Sequence, residues 1–263
     1  MSRWHDYQLT MIPFFRKIRY KLAQDNQLFK YSRYAIGEIA LVVVGILIAL
    51  QINTWNENRK NVIEETIILK NLIEDLKADI KGYNQAIYWL KYRQANIDSV
   101  LMVLNDSIAR VDDANLAHWL ITSGYILDYT PVYPTYTEII GSGKLSLIQS
   151  VRIKKDLADY KSNFDNDLRV FSAYDEGIKR IEFKALSLIK GSPKAQFYGQ
   201  DYKSLNKNIS IDRSKLESDE ELASLLKHNA YHTQVEINLK ILEYIPMADS
   251  LIATIEKELI KIQ

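Results

Sequence analysis

The feature that most constrains this chain is the stretch YAIGEIALVVVGILIALQI, Tyr34 to Ile52, in which Ile39 through Leu50 are twelve consecutive apolar or small residues. At about 1.5 Å per residue, nineteen helical positions extend roughly 28 Å, close to the roughly 30 Å thickness of a bilayer's hydrocarbon layer. The stretch therefore reads as one membrane-spanning helix. A buried helix of a soluble coiled-coil scaffold is the competing reading, kept open by Glu38 and Gln51 near the two ends. A cleaved signal peptide fits less well, because polar NTWNENRK follows without a small-residue cleavage pattern.

Charge sets the direction. Residues 1–33 carry seven Lys/Arg against Asp6 and Asp25, whereas residues 53–72 carry three basic and three acidic groups. The positive-inside rule then places the N-terminus in the cytoplasm and residues 53–263 across an inner membrane, in the periplasm. Ile12–Leu22, IPFFRKIRYKL, reads either as a short interfacial helix, with aromatics against acyl chains and cations against phosphates, or as a basic tail that only sets topology. The whole chain has 263 residues and a formal net charge of +1, which argues against wholesale nucleic-acid binding. It has no cysteine, so disulfides, thiol catalysis and Cys-ligated zinc are excluded. Nine Gly and five Pro in such a length favour helices over nucleotide-binding α/β folds.

Beginning at Met11, MIPFFRKIRYKL and then KYSRYAIGEIALVVVGILIALQINTWNENRK (Lys30 to Lys60) resemble an uncharacterised family of single-pass bacterial membrane proteins found mainly in the Bacteroidota. The resemblance continues more loosely through TYTEIIGSGKLSLIQSVRIKKDLADY and into the C-terminal helices. It implies a topology and a domain of unknown function, with translation starting at either Met1 or Met11. It supplies no catalytic residues, so Gly37, Glu38, Gly45, Gln51, Asn53, Trp55 and Asn56 arrive as signature positions without roles.

The expected fold is all-α: a transmembrane helix continuing into a long helical stalk to about residue 110, then an up-down bundle. From Leu69 apolar residues recur at spacings of four and three, through Ile73, Leu76, Ile80, Tyr83, Ile87 and Leu90 to Ile97, Leu101, Leu104 and Ile108, interrupted only by Gln94. A continuous helix from Tyr34 to Ile108 would measure about 110 Å, with Gly82 its soft point. Asp112–Gly124 reads as a short helix. DYTPVYPTYTEI, Asp128–Ile139, breaks the pattern with Pro131 and Pro134 and reads as a loop at the far end of the stalk. Thr135 and Glu138 stand in capping-box spacing. Leu145–Ile189 reads as one long helix antiparallel to the first, Gly191–Asn208 as a loop near the membrane, and Ser218 as the cap of a helix that Pro246 kinks or divides.

Candidate chemistry is sparse. Gly37, Leu41, Gly45 and Ala49 recur every four residues, a small-residue face suited to helix association. Glu38 either reaches headgroups from the edge of the apolar stretch or pairs with a group on a neighbouring subunit. Tyr125, Tyr129, Tyr133 and Tyr136 form a candidate partner surface, or cap the open end of the bundle. His228, His232 and Glu236, at successive four-residue intervals, are weak metal candidates without the H-E-x-x-H pattern of a catalytic zinc helix. Asp75 and Asp79 read as a charged surface. GSGK, Gly141–Lys144, lacks the spacing of a phosphate-binding loop. No nucleophile stands with a base, and no cofactor is implied. The sequence thus points to a non-enzymatic, membrane-anchored structural or interaction module, with the bilayer and either a second copy or a membrane protein as partners. A ligand-sensing bundle that signals through a partner is the alternative.

Overall fold

The computed structural model describes residues 20, 28–105, 111–125, 129–172, 174–191 and 209–262. The expected interfacial helix at 12–22, apart from Tyr20, together with Ile108 and the expected loop at 192–208, lies outside the described residues. The chain divides into two units, Met1–Ile63 and Glu64–Gln263. Helix α1 spans Leu28–Leu104 and contributes residues to both.

In the first unit α1 holds the apolar stretch, and none of the described residues packs on it. Side chains from Ile36 to Ile52 are exposed throughout, and none of the most apolar eighteen-residue window is buried. Leu, Ile and Val form such a helix because its hydrogen bonds are internal and its next requirement is an apolar surrounding.

The second unit is an all-α bundle. Beside residues 64–104 of α1 stand α2 (Asp113–Ser123), α3 (Pro134–Gly141), α4 (Val151–Ser172), α5 (Asp175–Leu188), α6 (Arg213–Glu217), α7 (Glu220–Leu239) and α8 (Ile245–Ile262). A two-residue antiparallel pairing joins β1 (Ile189–Lys190) to β2 (Ser210–Ile211), a small sheet that the apolar pattern did not announce. The lower core gathers Leu69, Leu72 and Leu76 of α1 with Leu157 and Tyr160 of α4 and Leu251 and Ile255 of α8. The upper core gathers Ile97 and Val100 with Leu116 and Leu120 of α2, Ile181 and Ala185 of α5, and Leu222 and Leu226 of α7.

These pairings reverse one expectation. The stretch 145–189 is not one antiparallel helix: α4 and α5 follow a separate 3₁₀ turn at Lys144–Leu147, break again before Asp175, and run parallel to α1. The reason lies in the segment before them. Tyr129 bonds Asp79, Thr135 bonds Asp75, and the Gln149 N–H donates to Glu65 Oε1 at 2.6 Å, so the proline-containing segment descends along α1 before α4 begins. It does not stand at the far end of a stalk. α7 and α8 run antiparallel to α1, as do α2, where His118 meets Tyr92, and α3, which leads from Thr135 beside Asp75 to Lys144 beside Glu64. Likewise, the residues flanking 192–208 sit with Ile97 and Val100, toward the Leu104 end of α1.

Local chemistry explains several boundaries. Asp219, not Ser218, caps α7 by accepting the Leu222 N–H. Tyr133 precedes α3 with Pro134 in its first turn, so Thr135 is not the cap expected from its spacing to Glu138. Between α7 and α8 the chain widens into a π turn, Lys240–Tyr244, ending two residues before Pro246, whose ring and missing N–H obstruct regular α-helical bonding.

Candidate functional site

The deepest side chains of α1 include Leu72, Leu76, Asp79, Tyr83, Ala86, Leu90, Arg93, Ile97 and Val100, a four-three alternation running beside the one traced through Ile80, Ile87 and Gln94. Two charged residues occupy this seam. Asp79 is 4% exposed and Arg93 3% exposed, so Asp79 is not part of a charged surface. Each is held by groups from elsewhere in the bundle.

Around Asp79 the tyrosines converge. The Tyr129 hydroxyl donates to Asp79 Oδ1 at 2.8 Å and the Tyr160 hydroxyl to Oδ2 at 3.0 Å, with the Tyr83 hydroxyl 3.2 Å from that of Tyr160. Tyr83 meets Tyr129 edge-on, with ring centroids 5.4 Å apart. Burial raises the Asp79 carboxyl above its ordinary value, against the two hydroxyl bonds that lower it and with Asp75 adding repulsion. Burial, followed by the bond and charge of Asp79, also raises the Tyr129 hydroxyl. Tyr133 has a left-handed backbone (φ 49°), meets the Tyr160 ring edge-on, and carries the Lys161 ammonium 5.3 Å from its ring centre. Tyr136 lines an open depression with Ile140, Lys161 and Arg169. Tyr125 packs beside the upper core, where its carbonyl accepts from Arg93. The four tyrosines therefore divide between two regions, Tyr125 above and the other three around the lower core.

A polar layer lies between the apolar clusters. Arg93 donates to Thr233 Oγ1 at 3.1 Å, to the Tyr125 carbonyl at 3.0 Å and to Glu236 Oε2 at 3.3 Å. Asn229 donates to the Ser123 carbonyl, and all of Asn96, Ser123, Asn229, Thr233 and Glu236 are buried. Such a layer requires matched partners, because an unpaired charge there is costly.

The pairing of Glu236 with Arg93 separates it from the expected His228, His232 and Glu236 set. The two histidines do meet, with Nε2 atoms 3.2 Å apart, while Tyr174 stacks on His232 at 3.6 Å. Burial and then the neighbouring His228 lower the affinity of His232 for a proton. Among the described residues, no group of three or more His, Asp or Glu is arranged to hold a metal ion.

In the first unit, Gly37, Glu38, Leu41, Gly45, Ala49 and Gln51 all lie exposed on α1. A Cβ at Gly37 or Gly45 would meet no described residue within 4 Å. The sequence reading missed Asp79, Arg93 and Tyr174 as organising residues. The first two were marked only by their four-three spacing from Leu76, Tyr83, Leu90 and Ile97, and Tyr174 by no local pattern.

No curated protein and no solved structure matches the chain. A family of unknown function, DUF6090, matches residues 38–178, just over half of the chain and including most of the apolar stretch, the Asp79 cluster and all of α4, and the protein belongs to that family.

Proposed function

We propose that this protein is a non-enzymatic, single-pass module of a bacterial inner membrane, whose helical bundle serves as a structural or protein-interaction element of an envelope complex. The observation that carries this reading is the apolar stretch of α1: a membrane-length run of Leu, Ile and Val with none of its most apolar window buried among the described residues. A helix apolar on every face is stable where lipid or another apolar helix covers it. Residues 64–263 supply a packed helical bundle with two apolar cores. The charge difference across the apolar stretch orients the N-terminus toward the cytoplasm and the bundle toward the periplasm.

Two measurements test this. The full chain should stay with membranes through an alkaline carbonate wash and leave them only in detergent; release by carbonate would overturn the anchor. Because the chain lacks cysteine, Ser2→Cys and Asp249→Cys report orientation separately. A membrane-impermeant maleimide should label Asp249→Cys in cells with a permeabilised outer membrane and should spare Ser2→Cys until the inner membrane is opened. Recovery of the chain in mild detergent with a stoichiometric membrane protein, or as a defined homo-oligomer, would support the interaction role. A lone monomer across all mild detergents would overturn it.

A further inference from the structure

His228 and His232 stand one helical turn apart on α7, facing the joint between α4 and α5. Their Nε2 atoms point toward each other at 3.2 Å, and their ring centres are 4.3 Å apart. A tetrahedral ion with ligands at about 2.0–2.1 Å requires a nitrogen-to-nitrogen edge of about 3.3 Å. The observed spacing is close to that bite. His228 is exposed and His232 half-buried, so an ion can approach from solvent.

The rings are also positioned by their surroundings. Tyr174, in the break between α4 and α5, stacks on His232 with an interplanar angle of 29° and lies 5.5 Å from the His228 ring. Tyr231 meets His232 edge-on at 5.2 Å. Glu236 is buried against Arg93 and does not join them. The arrangement therefore offers two imidazole nitrogens with two further positions for water.

We propose that His228 and His232 form a two-imidazole site for a divalent transition ion, with Zn²⁺ its best geometric match. Imidazole suits zinc, copper and nickel, and the tetrahedral bite distinguishes zinc among them. Zinc would replace the hydrogen bond between the rings. The proton on one Nε2 would leave it and an equivalent proton would occupy Nδ1 of the same ring, so that both Nε2 lone pairs face the metal without net proton release. Tyr174 acts as a positioning residue by limiting rotation of His232.

The test uses the full chain in detergent, purified without a histidine tag and stripped with EDTA. Titration with ZnCl₂ should show one site per chain, weakened at least tenfold in His228→Gln and in His232→Gln and changed less than twofold in His118→Gln. Co²⁺ should give visible ligand-field absorption in the native chain that the double variant His228→Gln/His232→Gln lacks. Zinc heat in the double variant equal to that of the native chain would overturn the site. So would the absence of both zinc heat and the cobalt spectrum from the native chain, a result that requires no variant to fold.

Discussion

The ring of Tyr129 occupies the space that a Cβ on Gly82 would need: its nearest atoms lie 2.3 to 2.4 Å from that position. Glycine at residue 82 is thus not a soft point in α1 but the opening through which the tyrosine reaches the helix backbone and bonds Asp79. In most helix interiors alanine is favoured over glycine by about 1 kcal/mol. Here the preference should invert. Gly82→Ala should destabilise the native chain by about 1–3 kcal/mol, as overpacking does. In a Tyr129→Ala background the same change should be neutral or stabilising. Urea melts of the four chains check the reversal, and equal effects in both backgrounds would show that the ring does not set the cost.

A comparable pair separates close approach from flexibility. A Cβ on Gly124 would stand 2.7 Å from the backbone nitrogen of Glu182, whereas one on Gly177 would meet no described residue within 4 Å. Gly124→Ala should lower stability by about 1–3 kcal/mol because α5 must move. Gly177→Ala should raise it by up to about 1 kcal/mol through helix propensity. Thermal melts of the two variants in the same detergent provide the comparison.

Asp79 should make an unusual contribution to pH dependence. Burial raises its folded-state pKa, so its ionisation costs stability as pH rises from the ordinary carboxylate range through the folded value. Asp219 acts in the opposite sense: burial works against it, but the Lys184 ammonium and the Leu222 N–H hold its carboxyl low, and the stability it provides is lost as pH falls. Asp79→Asn should consequently be most favourable relative to the native chain near pH 7, and its advantage should shrink toward pH 4. Urea midpoints across that range check the sign; an advantage that grows in acid would reject it.

Arg93 and Glu236 bury opposite charges in the polar layer. Arg93→Met alone should cost about 3–5 kcal/mol, because it takes the Arg93 guanidinium away from the buried Glu236 carboxylate. Arg93→Met combined with Glu236→Met should recover most of that loss. A double-mutant cycle by chemical denaturation measures the coupling, and simple additivity would mean that the two charges do not depend on one another.

Gly45 provides a test between chains. None of the described residues lies within 4 Å of a Cβ at this position, so Gly45→Leu should leave the stability of the bundle unchanged. If the small-residue face of Gly37, Leu41, Gly45 and Ala49 seats another helix, the leucine should reduce crosslinked dimer at least several-fold. Unchanged crosslinking would reject that face.

The sequence alone determined the all-α class, the apolar helix and the four-three alternation that packs α1, because helix formation and burial follow local composition and period. The directions and side-chain partners were not local. Parallel α4 and α5 depend on the descent of residues 129–149 along α1, whose fixing bonds join Asp79, Asp75 and Glu65 to residues 50 to 84 positions away. A charged side chain within a helical pattern ordinarily belongs in water, yet Asp79 and Arg93 are buried because Tyr129, Tyr160, Thr233 and Glu236 arrive from other elements. The four-residue spacing of His228, His232 and Glu236 put all three within reach of one helical face. Only the tertiary structure divided them, turning the carboxylate toward Arg93 and leaving the imidazoles beside Tyr174, because the buried Arg93 cation lies within hydrogen-bond reach of Glu236.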